Sequence, residues 1–159
     1  MIAVLQRVNS AAVIADGVLC GKINEGLYIL LGVHKEDTEK DAELLAEKIS
    51  KLRIFSDSNG KMNLSVKDVD GEALVVSNFT LNANYAHGNR PDYFSGAEPL
   101  LAEKLYNLFI RMLSDRVRLV ASGVFGADMI TDMSTDGPVT IVMDSNVLKS
   151  PKSAKGATV

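Results

Sequence analysis

Two short stretches hold the polar groups best placed for chemistry, each beside an apolar segment. Ser77-Asn78-Phe79-Thr80-Leu81 sets three hydrogen-bonding side chains at the end of the apolar run Ala73–Phe79. Thr135-Asp136-Gly137-Pro138-Val139-Thr140 sets a Gly-Pro pair immediately before a further apolar run. One reading of both is plain architecture, a strand terminus and a turn, because Asn, Ser, Gly and Pro are the residues turns use. The other is a site built mainly from backbone. Glycine lets a ligand approach the main chain, and an X-Pro bond can be held cis at a cost of about 0.5–1 kcal/mol, re-aiming the neighbouring carbonyls.

More familiar chemistries find no support. The two histidines, His34 and His87, form no H-E-x-x-H pair. His34-Lys35-Glu36 matches the H-x-E half of a zinc deaminase signature, but its P-C-x-x-C half is missing because Cys20 is the one cysteine. No metal site and no cofactor are expected. There is no G-x-S-x-G elbow, and Ser77 lacks the glycines such a turn needs. Thr80 or Ser77 as a nucleophile would need a base, for which His87 in a flexible loop is poorly suited. No G-x-x-x-x-G-K-[ST] loop is present, so nucleotide hydrolysis is not expected.

The elements that must hold these stretches can be read from periodicity. Positions 2–8 alternate with Ile2, Val4 and Val8 on one face, and Ala11–Ala15 with Val18–Ile23 reads as a hairpin turned at Asp16-Gly17. Leu27–Val33 reads as a strand buried on both faces. A helix follows, with Thr38 and Asp41 as a capping pair and Ala42, Leu45, Ile49 and Leu52 on its inner face. Asn59-Gly60 marks a further hairpin, and Ala73–Phe79 another strand. Residues 81–94 read as a loop. Ser95-Gly96-Ala97-Glu98 has capping-box spacing before a second helix whose inner stripe is Leu101, Leu105, Leu108 and Met112. Val117–Ala121 and Val139–Asp144 are the last strands. The expected fold is a single α/β domain over residues 1–144, a mostly antiparallel or mixed, barrel-like sheet with two main helices. Residues 145–159 are expected to be a polar, mobile tail carrying Lys149, Lys152 and Lys155.

Composition bounds the class. At 159 residues, 47% apolar and 23% charged, the chain suits one globular domain and no fibrous or disordered protein. No apolar run approaches the roughly 18 residues of a membrane span. No secretory leader is visible, and one cysteine permits no internal disulfide, so a reducing cytoplasm is the expected location. A net charge of −3 argues against a nonspecific DNA or RNA coat. It leaves room for a protein that grips one short RNA end.

Taken together, the motifs resemble the D-aminoacyl-tRNA deacylase (D-tyrosyl-tRNA deacylase) family. The likeness runs through Leu5-Gln6-Arg7-Val8, Lys51-Leu52-Arg53-Ile54-Phe55 and Gly60-Lys61-Met62-Asn63. It continues in Val76-Ser77-Asn78-Phe79-Thr80-Leu81, Gly88-Asn89-Arg90-Pro91, Gly123-Val124-Phe125-Gly126-Ala127-Asp128-Met129 and Asp136-Gly137-Pro138-Val139-Thr140. Their joint order and spacing cover the chain from Met1 to about Asp144.

The resemblance implies a homodimer that hydrolyses the ester joining a D-amino acid to the terminal adenosine of tRNA. It extends that activity to glycine mischarged on tRNA-Ala. Gly137-Pro138 would be a cis pair entering the partner's pocket, its backbone oxygens capturing the amino group and leaving no room for an L side chain. Each tenfold of such discrimination requires about 1.4 kcal/mol. Backbone N–H groups at Phe79 and Thr80, with Ser77 and Asn78 beside them, would stabilise the oxyanion. Water would attack, assisted by the RNA's own 2′-hydroxyl. Val139, Met129 and Phe125 would complete the substrate pocket, and Arg7, Lys51, Arg53, Lys61 and Arg90 are candidate RNA contacts. The expected partners are the acceptor end of aminoacyl-tRNA and a second copy of the chain, with no membrane and no DNA.

Two positions depart from the family pattern. Asn78 stands where the family has Gln, and Thr135 where it has Asn. Asn reaches roughly 1.5 Å less than Gln, enough to lose or reroute a bond with a useful range of about 2.7–3.2 Å. A same-fold binding module without turnover and a deacylase of altered scope are the alternative readings.

Overall fold

In the computed structural model, which describes residues 1–149, the first fourteen-residue strand organises everything else. This strand, β1 (Ile2–Ala15), is followed by β2 (Val18–Ile23), β3 (Gly26–Gly32) and helix α1 (Glu39–Ser50). A two-strand hairpin, β4 (Phe55–Ser56) with β5 (Met62–Leu64), leads to β6 (Glu72–Ser77) and a 3-10 turn over Phe79–Asn82. Helix α2 (Pro99–Ser114), β7 (Val120–Ser122), β8 (Met129–Asp144) and the short helix α3 (Ser145–Lys149) complete the chain.

The main sheet runs β2-β1-β3-β6-β7, and β8 pairs with β1 along its other edge. β1 is antiparallel to β2, β3 and β8, whereas β3, β6 and β7 are mutually parallel. β3 covers the first half of β1 and β2 the second, so the sheet curls on itself. Gly21 marks the closure: a Cβ there would sit 2.9 Å from both Leu74 Cδ1 and the Ser122 carbonyl oxygen. Only a residue without a side chain lets β2 approach β6 and β7 so closely.

This curl makes two cores. Ala3, Leu5, Leu27, Ile29, Ala73 and Val75 face the helices. Val8, Val13, Ile23, Tyr28, Leu74 and Val76 fill the inside of the curled sheet. β3 and β6 are thus buried on both faces, as their uninterrupted apolar runs require.

Several expectations change. The segments 2–8 and 11–15 are one continuous strand, and its helix-facing residues are Met1, Ala3 and Leu5 rather than Ile2 and Val4. Ser95–Glu98 forms no capping box; the Ser95 hydroxyl instead donates to the Asn82 carbonyl at 2.8 Å, and Glu98 precedes the helix without a side-chain cap. The buried stripe of α2 is Leu105, Tyr106, Phe109 and Leu113, with Leu101, Leu108 and Met112 only partly covered. Phe79 belongs to the 3-10 turn, not to β6. β8 begins ten residues before Val139, because β1 offers an edge long enough to pair it throughout. Residues 145–149 are helical, with Ser145 buried, so that part of the expected tail is structured. Lys152 and Lys155 lie outside the described residues. Among the described residues no helix is long and apolar enough to cross a membrane.

The expected Thr38–Asp41 cap is present and ties three elements together. Thr38 donates its backbone N–H and its hydroxyl to Asp41 Oδ2, at 2.8 and 2.9 Å. Asp41 Oδ1 accepts from the Ser145 hydroxyl at 2.6 Å and pairs with the Lys149 ammonium at 2.5 Å. Burial alone would raise this carboxyl's pKa, but the bonds from Lys149, Ser145 and Thr38 outweigh it and hold the group well below the usual carboxylate range. A depressed folded-state pKa gives stability that is present above the ordinary Asp value of about 3.9 and is lost as pH falls below it. Asp41→Asn is therefore expected to lower stability near neutrality by about 1–3 kcal/mol and to flatten the acid limb of a stability–pH curve. An unchanged acid limb in urea titrations would refute this role.

Candidate active site

The parallel pair β3 and β6 ends at Leu31 and Ser77, which are in register. Ligands in parallel sheets bind beyond the carboxyl ends of the strands. The Asn78 N–H donates to the Leu31 carbonyl at 2.9 Å, one last ladder bond before the chain turns away. Asn78 makes that turn. Its backbone is extended (φ −145°, ψ 95°), and its Oδ1 accepts the Thr80 N–H at 3.0 Å and the Thr80 hydroxyl. Asn is among the best residues at such a cap.

Gly32 lets the turn pack against β3, since a Cβ there would lie 2.9 Å from Leu81 Cβ and 3.1 Å from the Asn78 carbonyl oxygen. Asn82, almost fully buried, donates through Nδ2 to the Val33 carbonyl at 3.0 Å. The Ala97 N–H reaches the same carbonyl at 3.0 Å, which joins the turn to the start of α2.

A cavity of about 470 Å³ opens where these elements meet. Ser77, Asn78 and Phe79 line it with Leu31 and Val33; Ala102 and Tyr106 contribute from α2, and Phe125 and Asp128 from the loop after β7. It is of ordinary small-molecule size and largely apolar. Tyr106 donates to the Val75 carbonyl at 2.9 Å and lies 5.7 Å from the Phe125 ring. Burial pushes its phenol up, so it stays a neutral donor. Phe79 is largely exposed and meets Tyr93 edge-on at 5.0 Å between ring centres. Among the described residues the Phe79 N–H has no protein acceptor, which leaves it as a fixed donor beside the cavity.

The second polar stretch lies elsewhere in the chain. Gln6 pairs with Thr140 and Val8 with Thr135, so four residues of β8 bow out opposite the single Arg7. The Gly137-Pro138 peptide in this bow is cis, Gly137 has φ +127°, and both residues are exposed. Arg7 is buried beneath it. Its Nη1 donates to the Ile54 carbonyl at 2.6 Å, its Nε stands 2.6 Å from Asp136 Oδ2, and its guanidinium lies 6.0 Å from the Phe55 ring centre. Arg7 therefore anchors the bow and is not presented to solvent.

Of the residues singled out by sequence, Ser77, Asn78, Phe79 and Phe125 line the cavity. Thr80 is next to it but turned onto Asn78. Val139 is buried in the core on the helix side of the sheet. Met129 packs within the curled sheet and against Gly123, where a Cβ would lie 2.5 Å from its sulfur. Among the other basic candidates, Lys51 pairs with Glu47 at 2.7 Å and Arg53 donates to the Asn63 carbonyl at 2.6 Å. Lys61 and Arg90 are exposed, without an ion pair among the described residues. No group of three potential metal ligands occurs among the described residues. Sequence reading missed Tyr106, Tyr93 and Asp128. For Tyr106 the signal was its place one residue after Leu105, on the same inward arc of α2.

Comparison with known proteins gives this geometry a family. The family described as D-Tyr-tRNA(Tyr) deacylase matches residues 4–144. A D-aminoacyl-tRNA deacylase of Dehalococcoides mccartyi (strain BAV1) is 51% identical, covering 96% of this chain and 99% of its own. One from Chloroflexus aurantiacus is 52% identical, over 97% and 96% of the two chains. A solved structure titled c-Myc DNA Unwinding Element Binding Protein superposes with a TM-score of 0.85 at 41% identity, covering 91% of this chain and 98% of that one. A probable eukaryotic D-amino acid tRNA deacylase shares the fold at a TM-score of 0.79 and 12% identity, over 89% and 97%. The chain belongs to the D-Tyr-tRNA(Tyr) deacylase family, enzymes that hydrolyse D-aminoacyl-tRNA in translational proofreading.

Proposed function

We propose that the protein works as a homodimer that frees D-amino acids, and glycine mischarged on tRNA-Ala, from the 3′ end of tRNA. The carrying observation is a division of parts. The cavity has an unpaired backbone donor at Phe79 but nothing above it to judge chirality, while the rigid Gly137-Pro138 bow projects away from the cavity of its own chain. A second copy resolves this by placing its bow over the cavity. The outer face of the β1–β8 ladder is apolar enough to support self-association, with exposed Val142 paired to half-buried Val4.

In this reading the substrate's amino group binds backbone oxygens of the bow, and an L side chain collides with main chain that cannot yield. Water adds to the ester carbon while the Phe79 N–H stabilises the negative oxygen. The ribose oxygen then leaves with a proton, releasing free amino acid and intact tRNA. The RNA's own 2′-hydroxyl assists, which fits a site that pairs no nucleophile with a base. Met129 and Val139 act from behind, as packing that holds the loop and the bow. Lys51, Arg53, Lys61 and Arg90 contact phosphates near the acceptor end, so affinity should fall steeply with salt.

Two measurements test this together. Sedimentation at micromolar concentration is expected to show a dimer. Glycine is expected to leave tRNA-Ala under catalytic amounts of protein while L-alanine stays. A monomer, or equal release of both, would contradict the cross-subunit filter.

A further inference from the structure

Asn78 stands at the cavity with its acceptor capacity filled. A side-chain amide oxygen has two lone pairs, and Thr80 takes both, one through its N–H at 3.0 Å and one through its hydroxyl. Two consequences follow for the chemistry at this site. The Thr80 N–H is withdrawn from any oxyanion, so of the two neighbouring backbone donors only that of Phe79 remains. The Thr80 hydroxyl has its proton committed to Asn78, so it can offer only lone pairs to anything else. An amide oxygen does not take up a proton near neutral pH, so Thr80 has no base to activate it as a nucleophile.

Resting on the deacylase reading, we propose that Asn78 and Thr80 act as one unit in which Asn78 turns the Thr80 oxygen into an acceptor that orients the attacking water. Asn78 is then a positioning residue, working through Thr80 on a step that follows substrate binding. Its shortness is what permits this, because the oxygen reaches back to the residue two places on. The water donates one hydrogen bond to Thr80 Oγ1 and presents a lone pair to the ester carbon; no proton is transferred to Thr80.

The test is a double-mutant cycle on D-tyrosyl-tRNA hydrolysis, with kcat and KM measured separately. Thr80→Val and Asn78→Ala are each expected to lower kcat by about tenfold with KM within about twofold. The double variant is expected to fall no further than the worse single, within about twofold, because both changes remove the same interaction. Thr80→Ser keeps the oxygen and should retain near-normal kcat. Asn78→Ser keeps an acceptor at the cap. It should recover most of the loss of Asn78→Ala, which also keeps the proposal testable if the alanine variant folds poorly. A double variant near the product of the singles, about a hundredfold down, would overturn the proposal, as would losses confined to KM. An unmodified protein that releases no D-tyrosine would instead overturn the deacylase reading itself, a separate result.

Discussion

Replacing Phe79 with proline is expected to lower kcat on D-aminoacyl-tRNA by about 10²–10³, the effect of deleting one oxyanion donor. Proline suits this position for reasons of local structure. Residue 79 opens the 3-10 turn, where a missing N–H breaks no internal bond. Proline also demands an extended residue before it, and Asn78 already has φ −145° and ψ 95°. The substitution removes the aromatic ring as well, with its 5.0 Å contact to Tyr93. Phe79→Ala separates the two losses, since it deletes the ring and keeps the donor. Single-turnover deacylation should show Phe79→Ala within about tenfold of the unmodified protein and Phe79→Pro far below it. Equal rates for the two variants would mean that the oxyanion is held elsewhere.

The second large effect concerns the bow. Gly137 sits at φ +127°, where an L side chain is strained, and a Cβ would lie 2.6 Å from the Val139 backbone nitrogen. Gly137→Ala must therefore displace the loop that Arg7 and Asp136 hold. Turnover of D-tyrosyl-tRNA is expected to fall by at least about tenfold, a loss near 1.4 kcal/mol of transition-state binding. Coexpression with Phe79→Pro makes the test sharper. In a mixed dimer, one cavity combines an intact Phe79 N–H with an intact bow from the other chain. If chains pair at random, about a quarter of the cavities regain both parts, and activity should return to about that fraction. Were the bow to serve the cavity of its own chain, no pairing would restore anything.

Local patterns in the sequence made much of the fold legible, and the misses have physical causes. Asp16-Gly17 and Asn59-Gly60 marked their turns because both dipeptides tolerate positive φ, and Asp16, Gly17 and Gly60 adopt it. The Thr38–Asp41 cap was legible because a short polar side chain three residues from a carboxylate has one good use. β8 was read too short because Gly137-Pro138 ends a strand in any local reading. The ladder resumes beyond it only because β1 supplies a continuous edge, a tertiary fact. The Ser95–Glu98 box failed for a similar reason. Asn82 presents a carbonyl to Ser95, and the helix begins at Pro99 instead.

At the site, Ser77 to Phe79 and Phe125 were legible as motifs, and the cavity gathers them. Arg7 was read as a surface charge, yet it is 8% exposed and anchors the bow. Nothing local distinguishes a basic residue in an alternating strand from a solvated one. Its partners, Ile54 and Asp136, come from distant parts of the chain. Asn78 was legible as a departure from the family pattern, but its use in binding Thr80 required coordinates.

The central claim is chiral hydrolysis, and its most direct test is amino acid release from tRNA charged with D-tyrosine or L-tyrosine, under catalytic protein with chelator present. D-tyrosine should be released over many turnovers while the L ester decays at its rate in buffer. Release of neither, or of both at similar rates, would contradict it.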